Sequence, residues 1–194
     1  MDQFSYSLGV VLAQNLTNQG INEFDANDLA TGLEDVVKNN SLKISAKDAD
    51  QIIQNYLRNS AQKQHGATIK AGQEFLTKNA KRPEVVMLES GLQYEVLREG
   101  IGPNPKPTDK VTTHYHGTLI DGTVFDSSVD RGEPATFPVN GVIAGWVEAL
   151  QLMKPGSKFR LYVPYNLAYG DQGAGNLIKP FSTLIFDVEL LEIN

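Results

Sequence analysis

The chain contains no cysteine, and no proline occurs before Pro83. Without cysteine there is no disulfide, no thiolate nucleophile and no cysteine-ligated zinc, so stability has to come from packing. Basic residues are also short, 17 Lys+Arg against 23 Asp+Glu for a net charge of −6, and they form no cluster. That argues against nucleic acid as a partner, because phosphate neutralisation needs clustered Lys and Arg. No apolar run approaches the length that spans a bilayer, which argues against a membrane partner. The N-terminus, Met-Asp-Gln-Phe-Ser-Tyr-Ser, lacks a basic region followed by an apolar one. These features predict a soluble cytoplasmic protein, or a periplasmic one where a signal peptide has been removed. What is present, 41% hydrophobic and 21% charged residues, is the balance of a folded globular chain.

The missing prolines divide the chain. All nine lie at or after Pro83, as do 11 of the 16 aromatics. Residues 1–82 carry nine basic and nine acidic residues, while residues 83–194 carry eight and 14 and hold the whole net charge. A helical N-terminal part, 1–82, followed by a proline- and glycine-punctuated β-rich domain, 83–194, accounts for both shifts.

In the N-terminal part Phe4, Leu8, Val11, Leu12 and Leu16 recur at helical spacing up to Gly20. Asp25 opens a second helix with Leu29, Leu33, Val36 and Val37 on its apolar face. Ser45 and Asp48 resemble a capping box for a third. No breaker follows until Pro83, so this helix runs from about 45 to 80, roughly 54 Å. Its middle is polar all round, as in a solvated stalk, and His65 reads as a solvated residue there. Such helices bury little apolar surface alone. Pairing with a second copy through residues 1–82 is one remedy, and packing as a monomeric cap is the other.

In the C-terminal domain residues 91–97, 111–119, 123–128, 158–163 and 183–190 alternate as strands, and Asp121-Gly122 marks a tight hairpin. One short helix starts near Ile143 and ends before Pro155, with Val142, Ile143 and Trp146 at one concave apolar site. Trp146, the only tryptophan, fits either an ordinary core or the floor of a pocket. The predicted class is α+β, an antiparallel sheet of about five strands wrapped on one short helix, preceded by an all-α module with a long stalk helix. His114 and His116 share a strand face, but no third ligand lies nearby in sequence, so an exposed strand face is favoured over a metal site.

Five ordered motifs, His-Tyr-His-Gly (114–117), Asp-Gly-Thr-Val-Phe-Asp-Ser-Ser (121–128), Gly-Trp-Val-Glu-Ala-Leu (145–150), Ala-Tyr-Gly (168–170) and Phe-Ser-Thr-Leu-Ile-Phe-Asp-Val-Glu-Leu (181–190), resemble the FKBP-type peptidyl-prolyl isomerases. The helical extension is similar to that of macrophage infectivity potentiator-like bacterial members, dimers joined through their N-terminal helices. The resemblance implies a cofactor-independent isomerase, with no metal, acting on proline-containing and unfolded polypeptides, a homodimer through residues 1–82, and macrolides as inhibitors. It places catalytic roles on Asp126, Tyr169 and Tyr115. Substrate contacts fall on Phe125, Arg131, Phe137, Val142, Ile143, Trp146, Ile178 and Phe186, with Leu177 carried beside them on a flap. Tyr115 and Arg131 would hold the Asp126 carboxylate, as a catalytic support or as a purely structural clasp. Ala135, Ala144 and Lys179 depart from the family's commonest residues, which motivates a rival reading as a non-catalytic peptide-binding or holdase module.

Overall fold

The computed structural model describes the whole chain apart from the side chains of residues 61 and 62. Two compact units emerge, Met1–Gln64 and His65–Asn194. The first contains α1 (Gln3–Asn18), α2 (Ala26–Val37) and the start of α3 (Ala46–Asn79). Each helix begins where a short polar side chain takes up orphan amides. Asp2 accepts from the Ser5 amide, Asp25 from the amides of Asn27 and Asp28, and the Ser45 hydroxyl from that of Asp48. No residue of α1 or α2 is buried. Phe4 is 72% exposed and Val36 63%, so among the described residues of this unit the apolar faces of these helices are largely uncovered, with Leu12, Leu16 and Leu29 half-buried.

The second unit is built on seven strands: β1 (Val86–Met87), β2 (Gln93–Arg98), β3 (Lys110–Leu119), β4 (Val124–Ser127), β5 (Ala135–Pro138), β6 (Lys158–Val163) and β7 (Leu184–Ile193). They form one antiparallel sheet in the order β1-β2-β6-β7-β3-β4, with β5 also pairing β3. Alternation sends Phe159, Leu161, Val163, Leu184, Phe186, Val188 and Leu190 to the concave face. A one-turn helix, α4 (Ser128–Arg131), joins β4 towards β5. The concave face meets α5 (Ala144–Leu150), whose Trp146, Ala149 and Leu150 are buried.

The structure departs from the sequence expectations in three places. The sheet has seven strands rather than about five, since two-residue β1 and proline-bounded β5 are too short to register as alternation. The packing boundary lies inside α3, at 64/65, rather than at the composition boundary of Pro83. The last turns of α3 lie on the sheet's other face, with Phe75 5.9 Å from Tyr162 and the Asn79 amide donating to Gln93 Oε1 at 2.9 Å. The third departure is His65, which is half-buried with its ring 5.6 Å from that of Phe181, not solvated.

That cover explains a charged residue in the interior. Glu95, 5% exposed on β2, meets Arg82 at 2.5 Å and Arg160 at 3.8 Å. A buried carboxylate is tolerated when cations and hydrogen bonds replace its water.

Candidate active site

A cleft of about 710 Å³ opens on the concave side of the sheet above α5. Trp146 forms its floor at 4% exposure. Three rings meet the indole edge to face: Phe186 at 5.2 Å, Tyr115 at 5.4 Å and Phe137 at 5.5 Å. Phe125 stands against Phe186 at 5.4 Å, nearly perpendicular to it. Such edge-to-face contacts fix ring directions as well as burying area. Gly117 makes the arrangement possible, because a Cβ there would lie 2.7 Å from the Phe125 ring and 3.0 Å from Phe186. The indole Nε1 is buried with no hydrogen-bond partner among the described residues. A buried donor left unpaired costs about 1–3 kcal/mol, so the floor is apolar apart from this one N–H.

One wall carries the polar chemistry. The Tyr115 hydroxyl donates to Asp126 Oδ2 at 2.5 Å and accepts from Arg131 Nη2 at 3.0 Å. Arg131 also donates to the other Asp126 oxygen. A guanidinium can only donate, so the tyrosine proton is committed to the carboxylate. Burial pushes the Asp126 carboxyl up, but the bonds from Tyr115 and Arg131 outweigh it and hold the group below its ordinary value. Burial, reinforced by the bond to Asp126, raises the Tyr115 hydroxyl, so it stays protonated. The clasp therefore presents a fixed carboxylate at the mouth of an apolar cavity.

Local sequence dictates that geometry. The outer edge of β3 pairs with β5 over Lys110–Thr113 and with β4 from His116 to Thr118, which leaves a gap at His114 and Tyr115. The buried Ser128 hydroxyl fills it, accepting the Tyr115 amide at 2.7 Å and lying 3.1 Å from His114 Nδ1. Ser127 caps α4 through the Asp130 amide and lies 3.0 Å from His116 Nδ1. The two histidines thus engage the serines beside Asp126. The sequence predicted an exposed strand face here, whereas both rings are half-buried against these serines.

Opposite the clasp lies the segment 168–181. Tyr169 lines the cleft, and its hydroxyl has no hydrogen-bond partner among the described residues. Burial, and then the Asp126 charge, raise its pKa. Ala174 and Ile178 pair through two backbone bonds, closing a small hairpin that carries Leu177 and Ile178 on the cleft wall.

The structure brings Tyr115, Phe125, Asp126, Phe137, Val142, Ile143, Trp146, Tyr169, Leu177, Ile178 and Phe186 to one cavity. Arg131 is the exception: it lies behind Asp126, 52% exposed, rather than on the wall, so it reaches a ligand only through the carboxylate. Ala135 lines the cleft, as do Gly141 and Asn176, which the motifs did not single out. Ala144 and Lys179 do not.

Comparison with known proteins gives concordant matches. Residues 102–191 match the family described as "FKBP-type peptidyl-prolyl cis-trans isomerase", and residues 1–96 match "Domain amino terminal to FKBP-type peptidyl-prolyl isomerase". The chain is 47% identical over 198 residues to the FKBP-type 22 kDa peptidyl-prolyl cis-trans isomerase of Escherichia coli (strain K12), covering 98% of this chain and 94% of that one. It is 40% identical to the outer membrane protein MIP of Legionella longbeachae, covering 99% of this chain and 85% of that one. The crystal structure of FkpA from Escherichia coli superposes with a TM-score of 0.66 at 38% identity, covering 98% of this chain and 93% of that one.

Proposed function

The chain belongs to the FKBP-type peptidyl-prolyl cis-trans isomerases, and we propose that the cleft above Trp146 performs the reaction with Asp126 and Tyr169 facing the rotating bond. The protein is a peptidyl-prolyl isomerase acting on X-Pro bonds. Rotation about a peptide bond faces a barrier of about 18–20 kcal/mol, and for X-Pro takes tens to hundreds of seconds uncatalysed. No covalent bond has to break. The planar amide carries resonance charge on its oxygen that water solvates, and the twisted transition state carries less. An apolar cavity therefore disfavours the ground state relative to the transition state.

Trp146, Phe125, Phe186, Val142 and Ile143 hold the proline ring. The unpartnered hydroxyl of Tyr169 donates to a substrate carbonyl. Asp126, ionised and fixed, faces the carbonyl carbon of the rotating amide, where exclusion of water strengthens its field. Tyr115 and Arg131 keep that carboxylate charged and aimed. The observation that carries this reading is the clasped, low-pKa carboxylate at the mouth of an otherwise apolar cavity. The test is isomerisation of an X-Pro peptide coupled to protease cleavage. A rate equal to the spontaneous one would remove the assignment.

A second reading concerns residues 1–82. The uncovered faces of α1 and α2 support association of two copies, which cover Phe4, Val11 and Val36 and give the dimer affinity for unfolded, proline-containing clients. Sedimentation of the full-length protein should give twice the chain mass, and Val11→Glu with Val36→Glu should halve it. A monomeric wild type overturns this reading.

A further inference from the structure

Phe181 has a φ of 62°, in the left-handed region. For a bulky aromatic this is an outlier, and it persists only where the surroundings over-determine it. The surroundings are specific. The Phe181 ring lies between those of His65 on α3, at 5.6 Å, and Tyr165, at 5.2 Å and steeply inclined. Its amide donates to the Gly170 carbonyl at 2.8 Å, and the Gly170 amide donates to the Tyr165 carbonyl at 2.9 Å. Two residues further on, Thr183 lies so close to α3 that a Cβ on Gly72 would overlap its hydroxyl. The helix backbone is therefore pressed against the stretch through which the cleft hairpin enters β7.

Gly170 directly follows Tyr169. Phe181 closes the segment whose other members, Leu177 and Ile178, wall the cleft. A chain of contacts thus runs from His65 through the Phe181 ring to the Phe181 amide, and from there to the carbonyl beside Tyr169.

We propose that His65 and Phe181 are positioning residues, through which α3 fixes the segment 168–181 and thereby sets Tyr169 against the substrate. The proposal rests on the role given to Tyr169 above. In this account the second half of α3 completes the cleft from behind, although no described residue of α3 lines it. The clamped Phe181 ring holds this backbone in place, so the backbone is released either by relaxing its strain when the His65 ring is removed or by glycine's freedom when the Phe181 ring is removed. Once Phe181 leaves the left-handed region its amide no longer points at Gly170, and Tyr169 loses its fixed direction.

The test uses the full-length protein and three variants. His65→Ala removes the ring while keeping a strong helix former. His65→Phe keeps an aromatic, and Phe181→Gly removes the second ring at a residue type that accepts the left-handed region. His65→Ala and Phe181→Gly should lower kcat/KM about two- to thirty-fold, the range that coupling through packed side chains carries. In both variants the backbone amides at positions 170 and 181 should exchange with solvent faster, while those of Leu161 and Leu190 are unchanged. His65→Phe should restore the wild-type rate to within about twofold. Wild-type rates in His65→Ala overturn the proposal, as does equal loss in His65→Ala and His65→Phe, or unchanged exchange at 170 and 181. A wild type without activity would instead refute the function assigned to the cleft, so the two failures are distinguishable.

Discussion

The Ser128 hydroxyl accepts the Tyr115 amide at 2.7 Å, standing in for a neighbouring strand where neither β4 nor β5 covers the edge of β3. A side chain thus completes the sheet at the residue whose own hydroxyl orients Asp126. Ser128 is fully buried, so no water can take over when it is lost.

Ser128→Ala should therefore leave a buried amide without a partner, at a cost of about 1–3 kcal/mol. Urea unfolding followed by the fluorescence of Trp146, which lies in the same unit, reads this directly. Ser128→Thr retains the hydroxyl but adds a methyl to a fully buried site, so it should lose stability by overpacking. An alanine variant as stable as wild type would show that the Tyr115 amide finds another acceptor.

The pH dependence follows from the direction of the Asp126 shift. Its folded pKa lies below the ordinary value. The ionised clasp therefore contributes fully above the unfolded carboxylate value of about 3.9 and is lost as pH falls through the lower folded value. The Tyr115 hydroxyl is shifted upwards and stays protonated to about pH 10 and beyond. Peptide isomerisation corrected for the solvent rate should thus be flat from about pH 5 to 9. Asp126→Asn removes a charged partner, worth about 1.5–3 kcal/mol, and should lower it about ten- to a hundred-and-fifty-fold at every pH in that range. A rise in wild-type activity centred near pH 6 would assign the controlling group elsewhere.

Tyr169→Phe separates chemistry from packing. The hydroxyl has no partner among the described residues, and the side chain is 40% exposed, so stability should change by less than about 0.5 kcal/mol. Losing one hydrogen bond to the substrate costs about 0.5–1.5 kcal/mol, equivalent to a two- to twelve-fold fall in kcat/KM in the coupled peptide assay. Unchanged turnover would take the hydroxyl out of the mechanism.

Much of this was legible in the sequence because it depended on local signals. Asp25 and Ser45 cap the helices they were expected to open, and the alternation of 184–190 separates Phe186 from Asp187. What escaped was non-local. Gln93 and Glu95 look like the wet face of β2 until α3 and Arg82 cover them. His65 sits in a polar stretch, and only the backbone of Phe181 brings a ring to it. Ser128 follows Asp126 closely enough to be noticed, but its partner depends on where two other strands stop. The cleft residues and the Tyr115–Arg131 clasp on Asp126 were found through motifs, whereas Ser128, Glu95 and the His65–Phe181 contact required the tertiary structure.

Arg82 tests how the covered face is held. Its guanidinium reaches Glu95 at 2.5 Å, the Tyr162 hydroxyl at 2.7 Å and Glu84 at 2.6 Å. Arg82→Ala would leave Glu95 buried with only Arg160, 3.8 Å away and itself committed to Asp187. Breaking a buried pair from one side costs about 3–5 kcal/mol. Because Arg82 is 40% exposed and Arg160 offsets part of the charge, the loss should fall near or below the lower figure. Glu95→Leu alone removes the buried charge and should cost less. The double variant should be more stable than Arg82→Ala, since the carboxylate that required the arginine is gone. Additive losses in a double-mutant cycle would show that the two side chains do not interact, and that α3 is held on the sheet by Phe75 and Asn79 without the ion pair.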